Sequence, residues 1–219
     1  MKRALWLIVL YAGISVALFA QNADKQVDKK AGETKVYKIG DIGPAGGIIF
    51  YDKGSDGKTD SKAAGGAADK VADKVAGKSA DWRYLEAAPA ETEFTAIWGS
   101  YNFDVTGTGP TVGSGKLNTQ LIVGQLESLG ESKCAAQLCV KLKNNGFTDW
   151  FLPSKDELNL MYKNLHQKNL GKFTTKISYW SSSQVNGECA WYQSFANGKQ
   201  YNFGNYKYDA FMVRAIRAF

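Results

Sequence analysis

Apolar positions along the chain separate a leader, a polar stretch and a folded region. Lys2 and Arg3 precede the apolar run Ala4–Ala20, which ends in small residues before Gln21; that order predicts a secretory signal peptide over residues 1–20. Residues 21–35 carry almost no large apolar side chain, so a flexible linker is expected there. Folded sequence is predicted over 36–219, interrupted by a low-complexity loop at 53–80 in which Ala-Asp-Lys-Val occurs at 68–71 and again at 72–75. After a Gly-Pro turn and the Gly46-Gly47 pair, the β-rich run Ile48–Tyr51 predicts a first strand. Helical spacing follows over Asn118–Leu129 and Ser132–Asn144; the second places Ala135, Leu138, Cys139 and Leu142 on one face, with Gly146 positioned as a stop. Ser154 with Glu157 three residues on is a capping box, and Leu158, Met161, Tyr162 and Leu165 form the apolar stripe of a third helix. The end of the chain predicts an antiparallel β-meander: Tyr179–Ser181, Ala190–Phe195, an Asn197-Gly198 turn, Gln200–Phe203 and a closing strand Met212–Phe219. The fold class expected is α+β, with central helices and strands at both ends.

Composition narrows the chemistry. With 44% hydrophobic and 22% charged residues a packed core is affordable, and 23 glycines against 4 prolines suit a turn-rich fold. The net charge of +6 is scattered rather than gathered into a stripe, which argues against nucleic acid as a partner. His166 is the single histidine, placed at a helix end where it favours the dipole, and YWSSS lacks a Gly-x-Ser-x-Gly elbow, so no catalytic residue is assigned. One His and three scattered Cys do not make a zinc site. Asp52, Asp56 and Asp60 lack the alternation and terminal Glu of a calcium loop, so neither metal nor cofactor is expected.

The motifs GPAGGIIFY, WRYLEAAP, NGFTDWFLPSKDEL, YWSSS, AWYQSF and VRAIRAF, in that order, resemble the bacterial domain family named after the C-terminal part of the Legionella collagen-like adhesin, the Lcl C-terminal domain, over roughly residues 37–219. The resemblance implies a C-type-lectin-like fold, in which first and last strands pair and an irregular region presents the ligand site. It also implies an exported binding domain for a glycan, sulfated glycosaminoglycan included, and homo-oligomer formation as a possibility of the family. The stretch QVNGECAWYQSFANGKQYNFGNYKYDAF is similar to the display surfaces of diversified lectin-like relatives.

Within that stretch, strand alternation sends Trp191 and Phe195 inward and Tyr192 and Ser194 outward. Tyr201, Asn202, Asn205, Tyr206, Lys207 and Tyr208 show no periodicity, as an exposed loop would; Tyr and Asn combine flat apolar faces with hydrogen-bonding tips, the chemistry of sugar and protein paratopes. An aromatic loop that merely covers the core is the competing reading. Lys199 and Lys207 are the candidate cations for an anionic ligand, whereas Arg214 and Arg217 are expected to pair with acids such as Asp156 or Glu157. Trp82, Trp150, Trp180 and Trp191 are expected to anchor the core. Cys134 and Cys139 cannot bridge each other along one helix; export favours disulfides, so Cys189 is expected to pair with one of them, Cys139 being chosen for its apolar face. Cys134 is then free or joins two chains.

The function expected is therefore ligand binding or adhesion without catalysis, in a secreted, periplasmic or cell-surface protein with no membrane span in the mature chain. Its partner is a glycan or a protein. A self-assembling envelope protein is the alternative. A formylglycine-generating-enzyme-like oxidoreductase is disfavoured because Cys134, Cys139 and Cys189 do not lie in a matching motif.

Overall fold

A computed structural model describes residues 35–54 and 82–219. The predicted signal peptide at 1–20, the linker up to residue 34 and the loop from residue 55 to 80 lie outside the described residues. Tyr37–Phe219 is one compact unit.

The first sheet joins β1 (Ile48–Asp52), β2 (Tyr84–Ala87) and β8 (Ile216–Ala218), all antiparallel, with β2 in the middle. All four residues of β2 are buried, because both of its edges and both of its faces are covered. The expectation that first and last strands pair is corrected: Ala87 faces Ile48 on one side and Ile216 on the other, so β2 separates β1 from β8.

The second sheet has β3 (Phe94–Ala96), β7 (Phe211–Val213), β4 (Tyr179–Gln184), β5 (Ala190–Gln193) and β6 (Gln200–Tyr201) in that order. The meander holds for β4, β5 and β6, which are antiparallel; β7 instead runs parallel to β4. The expected closing strand is thus broken into β7 and β8, which belong to different sheets. Arg214 sits at the break. Its guanidinium is buried, donating to Glu93 Oε1 (2.8 Å) and to the carbonyls of Ala88 (3.1 Å) and Gly171 (2.8 Å).

Three helices pack on these sheets: α1 (Gly115–Glu127), α2 (Ala135–Lys141) and α3 (Lys155–Asn164). Helix α1 starts three residues before the expected Asn118, since the turn holding Ser114 supplies the entry: Ser114 Oγ donates to Thr111 O (2.6 Å) and Ser114 O accepts from Asn118 N (2.8 Å). Helix α2 is shorter than predicted. It stops at Lys141, and the following Asn144–Phe147 turn, with Asn145 at φ 47° and Gly146 at φ 79°, belongs to the loop. The α3 capping box is present as the sequence indicates: Glu157 N donates to Ser154 Oγ (3.2 Å) and Ser154 N to Glu157 Oε2 (2.7 Å). Leu158, Met161 and Leu165 are buried beneath it, with Tyr162 at the margin.

The core has two lobes. Trp98, Trp150, Trp180, Ile122 and Leu126 fill the one under α1 and α2, while Phe50, Leu85, Leu158, Tyr179 and Phe195 fill the one under α3. Trp150 and Trp180 are the expected anchors. Trp82 and Trp191 are only half-buried, each covered by an ammonium, Lys53 at 4.9 Å and Lys155 at 4.7 Å. Trp98, fully buried, takes an anchoring role that its sequence context did not announce.

Candidate functional site

The candidate surface grows out of β5. Its hairpin forms as expected: Gly198 N donates to Ser194 O (2.8 Å), Ser194 N to Lys199 O (3.0 Å), and Gly198 adopts φ 73°, a conformation suited to glycine. Alternation along β5 fails as a guide to exposure. Tyr192 points inward, 6% exposed, its ring 5.8 Å from Trp180, 4.9 Å from Phe211 and stacked on Tyr201 at 5.2 Å. The reason is that β5 lies inside the sheet with both faces covered, since Gln193 on the opposite face is also buried against Asn159. Trp191 is the half-exposed residue, contrary to expectation; Phe195 is buried as expected and Ser194 is partly exposed. Tyr192 still shapes the loop: its hydroxyl donates to Phe203 O (2.9 Å) and accepts from Asn205 Nδ2 (2.8 Å).

Lys207 is the largest correction among the candidate ligand residues. It is fully buried, its Nζ donating to Phe103 O (2.7 Å) and Gln184 Oε1 (2.6 Å) and lying 4.6 Å over the ring of Trp98. Its backbone is held as well, with Lys207 N donating to Glu188 O (2.9 Å) and Lys207 O accepting from Trp98 N (2.7 Å). Burial lowers the ammonium pKa to about 8. A ready-made socket of carbonyl, amide oxygen and indole face therefore draws this cation away from solvent.

With Lys207 turned in, its neighbours turn out. Tyr206 and Tyr208 are 39% and 52% exposed, and Tyr101, 45% exposed, joins them from a distant loop. The three ring centroids are 5.3 to 5.4 Å apart. Tyr101 Oη donates to Glu188 Oε1 (3.0 Å), a bond that raises the Tyr101 pKa. Burial, then the charges of Asp209 and Glu188, push the Tyr208 phenol upward too. Tyr201, Asn202 and Asn205 are half-buried beside this cluster in the chain, Lys199 is exposed at the hairpin, and Phe203 is 72% exposed. Tyr101 is the site residue the sequence reading missed; a separation of about a hundred residues leaves no local signal.

The remaining cations are structural. Arg217 pairs with Asp149 (2.9 Å) and Glu86 (3.2 Å) between the rings of Phe147 and Phe219, and Arg214 with Glu93 (2.7 Å). Neither uses the expected Asp156 or Glu157: Asp156 lies beside Lys155 (3.5 Å), and Glu157 is consumed by the cap and by Gly113 N (2.8 Å). Glu157 also borders a cleft of about 180 Å³ lined by Trp82, Phe151, Lys116 and Phe219, and burial raises its pKa to about 7. Both carboxylate oxygens accept backbone N–H groups, so it is a helix cap before it is a reactive acid.

All three cysteines are free thiols, so the Cys139–Cys189 bridge is corrected. Cys139 packs in the lobe under α1 and α2, whereas Cys189, at the entry to β5, belongs to neither lobe. Burial raises the Cys134 pKa to about 12 and those of Cys139 and Cys189 as well, which suppresses thiolate formation. His166 stacks on Tyr162 at 5.4 Å. Asp52 is engaged by Arg83 (2.8 Å), and Asp56 and Asp60 lie outside the described residues. Among the described residues no group of His, Cys, Asp and Glu is arranged to hold a metal, and no helix is long and apolar enough to cross a membrane.

No curated protein matches the chain. Among solved structures it is similar to a fimbrial protein from Bacteroides ovatus ATCC 8483, with a TM-score of 0.51 and 13% sequence identity over 79% of this chain and 44% of that one. The chain therefore spans less than half of that protein, and the likeness is one of fold. Residues 127–217, which hold α2, α3 and the strands from β4 into β8, match the family model of the Lcl C-terminal domain.

Proposed function

We propose that the protein is an exported binding module, secreted, periplasmic or at the cell surface, that recognises a glycan or a cell-surface protein through the exposed tyrosines of its C-terminal loop. Tyr101, Tyr206 and Tyr208 form the centre, with Tyr201, Asn202, Asn205 and Lys199 around it; no catalytic step is part of this reading. The observation that carries it is the exposure of three mutually packed rings, two of them on the loop anchored from beneath by Lys207 and the third, Tyr101, on a distant one. Rigid aromatic faces of this kind give contact area at small entropic cost. A C-type-lectin-like presentation, an irregular loop displayed by a sheet scaffold, accompanies this reading, with the insertion of β2 between β1 and β8 as a departure from it.

A sulfated ligand is less well served than the sequence suggested. Lys207 is buried, which leaves Lys199 alone of the two cations expected to meet an anionic ligand. The buried, high-pKa thiols likewise speak against an oxidoreductase built on cysteine. The similarity to a fimbrial protein agrees with a place at the cell surface and favours one second reading, in which the same rings are a contact between copies in an envelope assembly.

Binding of the chain to a glycan array and to intact cells tests the first reading. Changing Tyr206 and Tyr208 together to Ala is expected to lower binding at least about tenfold, the scale of an aromatic hot spot, with an unchanged melting temperature. Undiminished binding would place the site elsewhere. A solution mass that falls from oligomer to monomer in the same variant would move the rings to the self-assembly reading.

A further inference from the structure

We infer that the Tyr101–Tyr206–Tyr208 cluster takes a cation, the lysine or arginine side chain of a protein partner, rather than an anionic sugar. This deepens the proposed function and rests on its surface being the binding surface. The argument begins with charge. Glu188 accepts from Tyr101 Oη (3.0 Å), and Asp209 accepts from Tyr206 N (2.7 Å), so two carboxylates are hydrogen-bonded to residues of the ring cluster. Asp104, exposed, accepts from Gln184 Nε2 (3.1 Å), the amide whose oxygen holds Lys207. Among the described residues none of these three acids forms an ion pair with a lysine or arginine. The nearby cation, Lys207, is buried with its ammonium donating to Phe103 O and Gln184 Oε1, and its charge acts on Asp104 through space, so Glu188 and Asp209 are the acids that carry the argument.

The rings point the same way. The faces of tyrosine carry the negative end of the ring quadrupole, and three of them are 39% to 52% exposed beside unpaired carboxylates. A sulfate or uronate brought to this surface meets negative potential from rings and acids together. A guanidinium or ammonium meets attraction from both, and the guanidinium, the more weakly hydrated of the two, loses less on leaving water. Arginine suits the geometry best, because its plane stacks on a ring while its edge reaches a carboxylate. The protein as a whole is basic, at +6, so attraction of a cationic peptide must be local to be seen at all.

The test titrates the full chain with a capped hexa-arginine peptide, a heparin-derived hexasaccharide and a neutral cellulose hexasaccharide, at low and high salt. Saturable binding of hexa-arginine is expected. It should weaken about two- to fivefold for each ring lost in Tyr101→Leu and Tyr208→Leu, persist in Tyr208→Phe, and weaken with a shallower salt dependence in Glu188→Gln. Circular dichroism melting of each variant separates loss of site from loss of fold. Absent hexa-arginine binding, or binding in Glu188→Gln and the two Leu variants equal to that of the native protein, overturns the cation inference. If a saccharide binds instead and is lost in Tyr208→Leu, the binding surface stands and only its cation preference falls.

Discussion

Lys207 carries its charge into a socket formed by Phe103 O, Gln184 Oε1 and the face of Trp98, and this one side chain sets the exposure of both neighbours. Its folded pKa of about 8 lies below the ordinary 10.5, so the unfolded chain binds more protons between those values. Stability contributed at this site is therefore lowest below about pH 8 and rises as pH increases from 8 towards 10.5. Denaturation midpoints across that range are expected to show the rise in the native protein and to lose it in Lys207→Met. At neutral pH the same variant leaves the Phe103 carbonyl and Gln184 amide without their donor, at a cost of about 1–3 kcal/mol. A Lys207→Met protein of undiminished stability would mean that relief of the buried ammonium's desolvation offsets the hydrogen bonds lost. None of this was legible in the local sequence. A lysine between two tyrosines in a polar loop looks like a solvent-facing cation, and the groups that draw it inward come from positions 98, 103 and 184.

At the scale of elements, legibility followed from how local the determining interactions are. The α3 cap lies within four residues, and both of its hydrogen bonds could be named from Ser154 and Glu157 alone. Ser154→Ala is expected to cost about 1 kcal/mol of stability, measured by chemical denaturation. Glu157 adds a pH signature. Its folded pKa of about 7 stands above the ordinary 4.5, so the folded state binds more protons between those values and stability falls as pH rises through that window. Glu157→Gln removes the slope, and a slope that survives it would assign the titration to another group. The strands were less legible because their burial depends on neighbours. For β5 the period of two was present, yet with both faces covered it does not separate inside from outside, and Tyr192 and Trp191 exchange their expected places. The end of the chain shows the same limit: Met212–Phe219 has the composition of one strand, and only its pairing with β3 at one end and with β2 at the other reveals that it serves two sheets.

Across the whole molecule, Glu86 and Arg217 bind together segments that sequence separates most widely. Glu86, fully buried in β2, accepts from Gly47 N (2.8 Å), Ala45 N (3.1 Å) and Arg217 Nη1 (3.2 Å), so the first turn, the middle strand and the last strand meet at one carboxylate. Arg217 then reaches Asp149 with a two-pronged contact (2.9 and 3.0 Å), tying the loop ahead of α3 to the same point. Gly47 is required there, since a side chain would run into the carbonyl of Ala87. Removing the cation alone strands a carboxylate that has no access to water, and Arg217→Met is expected to destabilise by about 3–5 kcal/mol. Glu86→Gln keeps a hydrogen-bonding group for the turn and leaves Arg217 its Asp149 partner, so its cost is expected to be smaller. Combining Arg217→Met with Glu86→Gln removes both charges at once; the double variant should then be markedly more stable than the sum of the single losses predicts, by more than about 1 kcal/mol, as coupled sites are. Urea denaturation of the four proteins measures this cycle. Additive losses would show that the turn, β2 and β8 are held independently, and that closure of the fold rests on the packing of Phe50, Leu85 and Ile216 rather than on the buried ion pair.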